Sequence, residues 1–327
     1  MINEILTNSN WLNPQMDYLL WLQNLRMTTN GIFDQFFLFL TMFGELLIPV
    51  LFICVIYWCI NSKAGLYLLT LNSLGLLFLQ IFKMTACVYR PWILNNDIKP
   101  VEVAIKMARG YSFPSGHSAV ASSIWGGMAF LTRKHKWLCI SLILIVLLVA
   151  FSRTYLGVHT PQDVIVGVLT GLILVFAVNG LIEWCEQNKG RYLYLLGLID
   201  IVIAVSLLYI LAKNYPIDYL NGEILVNPQK AQYLSVIFFG WLAGILNGGL
   251  LCRRYFEFDA SKGSLVSKII RALLGVVLTL VFLKGIDVYI FGMLQDYKVA
   301  FIVPFLLGIF ITLIYPICFT KLFKTTK

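Results

Sequence analysis

Lys83 with Arg90-Pro91, then Pro114-Ser115-Gly116-His117, then Ser152-Arg153 with His159 and Asp163 place cations, two imidazoles and one carboxylate at the ends of apolar stretches. Idle charge is costly at such positions, so the three clusters are read as a site. His159 and Asp163 are four residues apart. The carboxylate can therefore reach one imidazole nitrogen and fix its tautomer, leaving the other nitrogen free as a nucleophile; it can also simply stabilise a helix N-terminus. Ser115 can cap a helix whose first-turn N–H groups, helped by Gly116, cradle an anion with His117 on the rim, although a histidine there can equally be structural. Lys83 and Arg90 are seven residues apart and would share one side of a continuing helix until Pro91 ends it. Two snorkelling side chains at a helix end would give the same pattern.

The chain that must position these residues is 59% hydrophobic and 13% charged over 327 residues, with a mean hydropathy of +0.82. Apolar stretches of about 20 residues separated by short polar breaks describe a polytopic membrane protein. We expect an all-α helical membrane bundle of about nine transmembrane helices, near 33–60, 65–87, 116–132, 137–153, 161–184, 192–212, 232–251, 267–290 and 299–320. Residues 1–30 read as an N-terminal interfacial segment, 31–185 as the core that carries the clusters, and 186–327 as additional spans. In the first segment Trp11, Tyr18, Leu19, Leu20, Trp21 and Leu25, broken by Asp17, Gln23 and Arg26, suggest an amphipathic helix, with no removable signal peptide.

Alternate loops collect the basic residues: Lys63; Arg133, Lys134 and Lys136; Lys189 and Arg191; Arg253, Arg254, Lys262 and Lys268; Lys321, Lys324 and Lys327. The positive-inside rule makes these loops cytoplasmic. All three polar clusters then fall on the opposite face, with the N-terminus extracytoplasmic and the C-terminus cytoplasmic. The net charge of +9 is accordingly topological, with some attraction for anionic lipid, and does not point to nucleic acid. Seven cysteines lie mostly in apolar spans or beside basic loops, where packing is a better reading than a disulfide framework.

Histidines and Asp163 could in principle bind zinc, but Lys83, Arg90 and Arg153 on the same face repel a dication and favour an oxyanion such as phosphate. His135, in a basic cytoplasmic loop, reads as solvated. In order and spacing, a lysine separated by six residues from Arg-Pro, then Pro-Ser-Gly-His, then Ser-Arg followed by His159 and Asp163, the clusters resemble the signature of the type 2 phosphatidic acid phosphatase family over roughly residues 31–185. That resemblance implies a helical bundle with an extracytoplasmic site, His159 as the nucleophile forming a phosphohistidine, Asp163 orienting it, and His117 as general acid. It implies Lys83, Arg90, Arg153, Ser115 and the Gly116 amide as the phosphate clamp, with no metal or other cofactor.

The expected activity is hydrolysis of a lipid phosphate or diphosphate, such as polyprenyl diphosphate, phosphatidate or phosphatidylglycerophosphate, with membrane lipids as surroundings and no nucleic-acid partner. Phosphoryl transfer to another acceptor through the same intermediate is the alternative, and an anion transporter a more distant one. The extra spans are similar in topology to glucose-6-phosphatase and the sphingosine-phosphate phosphatases. Lys99, Lys106 and Arg109 can draw an anionic headgroup inward or simply be solvated, and Glu45 can pair with Lys83 or another cation of the clusters.

Overall fold

A computed structural model describes residues 12–108, 110–220, 222–256, 258–292 and 296–322. Trp11, Arg109, Lys324 and Lys327, named above, lie outside the described residues. The chain is helical, as expected: α1 (Asn13–Thr28), α2 (Asp34–Thr41) continued by a 3-10 turn (Met42–Gly44), α3 (Leu47–Val55), α4 (Ser62–Ala86), the short α5 (Pro91–Leu94) and α6 (Glu102–Met107), then α7 (Gly116–Leu131), α8 (Lys136–Tyr155), α9 (Pro161–Gln187) and α10 (Arg191–Ala212). A two-strand hairpin, β1 (Tyr219–Leu220) and β2 (Glu223–Ile224), precedes α11 (Pro228–Tyr255), α12 (Leu265–Gly292), α13 (Tyr297–Ile309) and α14 (Tyr315–Leu322).

Among the described residues, seven helical stretches are long and apolar enough to cross a membrane, eight when the pair broken after Gly44 counts as one. The ninth expected stretch is α7, which at 16 residues is shorter than the others. At 1.5 Å per residue it covers roughly 24 Å of a ~30 Å hydrocarbon layer. It can be this short because Ser115 and Ser118 at its start are fully enclosed by protein.

The chain divides into two compact units. The first comprises residues 1–48, 78–175 and 212–232. Its helices are two-faced at helical spacing: along α8, Leu142, Val146, Val149 and Arg153 are buried while Trp137, Ile140, Leu144 and Leu147 are exposed, as suits lipid. Along α9, Gly167 and Gly171 continue the face of Asp163, whereas Ile165, Leu169 and Ile173 point outward. A Cβ on Gly167 would stand 2.6 Å from the Ser115 carbonyl, so small residues here let α9 lie against the start of α7. Gly44 does the same for the broken first span: a Cβ there would meet Val149 at 2.7 Å and the His117 carbonyl at 2.8 Å. Trp125 Nε1 donates to the Phe43 carbonyl at 2.8 Å and holds that turn in place.

The second unit comprises residues 49–77, 176–211 and 233–327. Gly240 and Gly244 of α11 lie directly against the Phe301 and Phe305 carbonyls of α13. Trp58 is fully buried and donates to the Ile311 carbonyl at 2.9 Å, while Arg271 Nη1 donates to the Trp58 carbonyl at 2.7 Å. Across α10 and α11, Asn247 Nδ2 donates to Asp200 at 3.0 Å. All seven cysteines are free thiols.

Candidate active site

The polar clusters come together within the first unit. α4 ends at Ala86; Cys87 takes a left-handed conformation (φ 51°) and its N–H closes onto the Lys83 carbonyl at 3.0 Å, a helix stop made without glycine. Arg90 follows in extended backbone, as the residue before a proline does. Lys83 and Arg90 therefore do not share one continuing helix face, the arrangement their spacing suggested. The turn at Cys87 brings Arg90 back within electrostatic reach of Lys83.

Lys83 Nζ donates to the carbonyls of Tyr111 (2.6 Å) and Ser112 (3.2 Å). Arg90 Nε donates to Gly110 O at 3.2 Å and Nη1 to Val158 O at 3.1 Å, with Trp92 under the guanidinium. Ser115 caps α7, its Oγ accepting from the Ser118 N–H (3.4 Å) and hydroxyl (2.9 Å). The Ser115 N–H donates to the Asp163 carbonyl at 2.9 Å, tying the start of α7 to the start of α9. Gly116 and His117 form the first turn of α7, and His117 lies within reach of the charges of Arg153, Arg90 and Lys83.

Arg153, in the last turn of α8, is fully enclosed. Its Nη1 donates to Thr41 Oγ1. Arg153 Nε and Nη2, and His117 Nε2, are buried and meet no hydrogen-bond partner among the described residues. Glu45 acts electrostatically on Arg153, whereas Lys83 is occupied by the two carbonyls. Lys99 and Lys106 are exposed, as is His135.

Gly157 (φ 75°) turns the chain after α8, and the N–H groups of Val158 and His159 return to the Arg153 carbonyl at 3.1 and 3.3 Å. His159 Nδ1 then lies 3.1 Å from Asp163 Oδ2, the pair foreseen from the four-residue spacing. The same oxygen accepts the Ser112 hydroxyl at 2.5 Å and the Thr160 N–H at 3.0 Å. His159 Nε2, expected to be free, is instead 2.8 Å from Arg90 Nη1. A guanidinium has no acceptor, so Nε2 presents its lone pair to Arg90 and Nδ1 carries the hydrogen directed at Asp163. Burial first, then Arg90, Arg153 and Lys83, hold the His159 imidazole well below the usual histidine range, so it is neutral at neutral pH.

Two supporting side chains gave no signal in the sequence. Ser112 grips the carboxylate and Thr41 grips Arg153, yet serine and threonine near helix ends are common enough to pass unremarked. Lys83 and Arg90 thus act electrostatically on one tightly bonded carboxylate, and Arg153 acts on both imidazoles. Among the described residues no three His, Cys, Asp or Glu side chains converge as a metal-ligand set. The donors present, guanidinium, ammonium and backbone N–H, are those that bind oxyanions.

A family model of the PAP2 superfamily matches residues 64–186, and one described as PAP2 superfamily phosphatase, transmembrane extension, matches residues 236–327. An undecaprenyl-diphosphatase of Sulfolobus acidocaldarius is 31% identical over 151 residues, covering 46% of this chain and 68% of that protein. Phosphatidylglycerophosphatase B of Bacillus subtilis is 34% identical over 139 residues, 39% of this chain and 68% of that protein. The chain belongs to the PAP2 superfamily. Its membership bears out the resemblance read from the three clusters and makes it a multi-pass member of a phosphatase family. A lipid A 4'-phosphatase of Porphyromonas gingivalis is 27% identical over 173 residues, 49% of this chain and 72% of that protein. No solved structure matches the chain at comparable stringency.

Proposed function

We propose that this PAP2-superfamily chain is an integral membrane phosphatase that hydrolyses a lipid phosphate or diphosphate through a phosphohistidine on His159. The observation that carries this reading is the set of buried polar atoms, Arg153 Nε and Nη2 with His117 Nε2, that lack hydrogen-bond partners among the described residues, beside a His–Asp couple. Leaving such groups unpaired costs about 1–3 kcal/mol each, or more when charged. An anion with several acceptor oxygens satisfies them together, and a phosphoryl group fits that description.

In the proposed reaction Lys83, Arg90, Arg153, the Ser115 hydroxyl and the Gly116 N–H hold the phosphoryl oxygens. Arg90 Nη1 moves its contact from His159 Nε2 to a phosphoryl oxygen, which releases the imidazole lone pair. Nε2 attacks phosphorus, the bond from phosphorus to the lipid oxygen breaks, and His117, which the negative charge of the bound phosphoryl group keeps protonated beside the three cations, gives its proton to that oxygen. Asp163 keeps Nδ1 protonated and balances the charge that forms on the ring. Water then attacks the phosphohistidine and gives a proton to His117; the N–P bond breaks, and inorganic phosphate leaves. With a diphosphate substrate the first leaving group is the lipid monophosphate. The stabilisation comes from fixed charge and N–H groups, so the reaction requires no metal.

The lipid class is supported by the relatives, named as undecaprenyl-diphosphatases, a phosphatidylglycerophosphatase and a lipid A phosphatase. The distribution of lysine and arginine supports an extracytoplasmic site, with the N-terminus on that side and the C-terminus in the cytoplasm. Within this reading residues 31–185 form the catalytic core, residues 1–30 an interfacial segment and residues 186–327 the additional spans.

The test is phosphate release by purified protein in detergent from polyprenyl diphosphate, phosphatidate, phosphatidylglycerophosphate, sphingosine phosphate and glucose phosphate. Release without an added acceptor, lost by about a thousandfold or more in His159→Ala, is the expected result. A fully active His159→Ala protein overturns the mechanism, and turnover that requires an acceptor identifies a transferase.

A further inference from the structure

The residues that follow α10 reach the phosphate clamp. Residues 212–232 belong to the first unit, although they connect α10 to α11. Lys213 Nζ donates to the carbonyls of Met84 (2.6 Å) and Thr85 (2.7 Å) and lies 3.7 Å from Cys87 Sγ. Those carbonyls belong to the last turn of α4, where a helix leaves acceptors unsatisfied and favours a cation. Five residues on, Asp218 Oδ2 accepts the Tyr89 hydroxyl at 2.6 Å. Asp218 is itself fixed at the base of the β1–β2 hairpin, its carbonyl accepting the Leu225 N–H at 3.0 Å.

The two anchors bracket the least regular part of the site. Between Lys83 and Arg90 the chain leaves the helix and passes through a strained non-glycine left-handed residue at Cys87, and its backbone is held by the Cys87 N–H on the Lys83 carbonyl and by the Ser112 N–H on the Val88 carbonyl at 2.7 Å. Tyr89 is buried, and its ring packs 6.2 Å from that of Tyr111, whose carbonyl binds Lys83. Fixing the Tyr89 hydroxyl therefore fixes the neighbouring Arg90 backbone and supports the wall that seats Lys83.

We propose that Asp218 and Lys213 are positioning residues for the phosphate clamp, contributed by the chain beyond the core and acting through Tyr89 and the end of α4. This rests on the phosphatase reading above, because it assigns Lys83 and Arg90 to phosphate. It gives the segment after α10 a definite part: it presets the distance between the two cations before substrate arrives, so its loss weakens phosphoryl binding more than the chemical step.

The experiment uses the full-length protein with Tyr89→Phe, Asp218→Ala, Asp218→Asn and the double variant Tyr89→Phe/Asp218→Ala. Orthovanadate inhibition and KM are read beside kcat. Tyr89→Phe and Asp218→Ala are each expected to raise KM and the vanadate inhibition constant together by about 5- to 30-fold, with kcat changed less than about threefold, and the double variant to be no worse than the poorer single one. Asp218→Asn, which keeps an acceptor oxygen, should stay within about threefold of the parent. Tyr89→Phe removes a single oxygen and keeps the ring, which guards against loss of fold. Unchanged vanadate affinity in Tyr89→Phe, or fully additive losses, overturns the proposal. His159→Ala run alongside separates the two readings: activity surviving there removes the phosphohistidine, whereas a silent Tyr89→Phe with an inactive His159→Ala removes the positioning role alone.

Discussion

Arg90 Nη1 stands 2.8 Å from His159 Nε2, while Asp163 Oδ2 stands 3.1 Å from the other ring nitrogen. The imidazole is thus gripped from both sides, and the two grips agree on one tautomer. Nitrogen-15 NMR of histidine-labelled protein should show His159 neutral, with a protonated Nδ1 and a lone-pair Nε2. A signal from the opposite tautomer would contradict this arrangement.

The pH profile follows from the same surroundings. Burial and three cations depress the His159 pKa, so the neutral form, the nucleophile of the proposed reaction, persists as pH falls through the ordinary histidine value near 6.5. The acid limb of kcat/KM, which reports the free enzyme, should therefore lie below that range. Arg153→Gln removes one of the depressing charges, so whatever its remaining activity, its acid limb should move to higher pH. An unmoved limb in that variant would show that Arg153 does not set the titration.

Asp163→Asn leaves a group of similar shape but removes the charge that, in the proposed reaction, balances the imidazolium-like intermediate. Its kcat should fall by about 10²–10⁴. Ser112→Ala should cost less, about 10-fold, because the Thr160 N–H still holds the same oxygen. Steady-state assays on the two variants check the order; equal losses would mean that Ser112 does more than orient the carboxylate.

Gly44→Val places methyl groups where Val149 and the His117 backbone already are. Overpacking of this kind costs about 1–3 kcal/mol. A lowered Tm with reduced turnover is expected, measured by thermal unfolding in detergent, whereas Gly197→Ala, with open space around it, should leave both unchanged.

The charged residues of the site were legible because charge in an apolar setting is conspicuous, and the His159–Asp163 pair because four residues is one helical turn. The stretches near 192–212 and 299–320 stood out by apolar length alone. The contact between Arg90 and His159 was not legible, since it joins residues far apart in sequence through a turn at Cys87 that carries no glycine or proline to announce it. The shortness of α7 was hidden because a helix that begins inside protein has the same apolar composition as one that begins at the bilayer surface. Tyr89 and Asp218 gave no sign of each other, because a buried tyrosine and a loop aspartate are each ordinary until they are seen 2.6 Å apart.

The Gly44 turn also bears on how small a working version of this protein can be. A chain trimmed to the matched stretch 64–186 keeps every candidate catalytic and phosphate-binding residue. It discards Thr41, the anchor of Arg153, and the turn at Gly44 on which the first step of α7 rests. It also discards Lys213 and Asp218 at the far end. Truncation to that stretch should therefore yield the right residues without the frame that holds them.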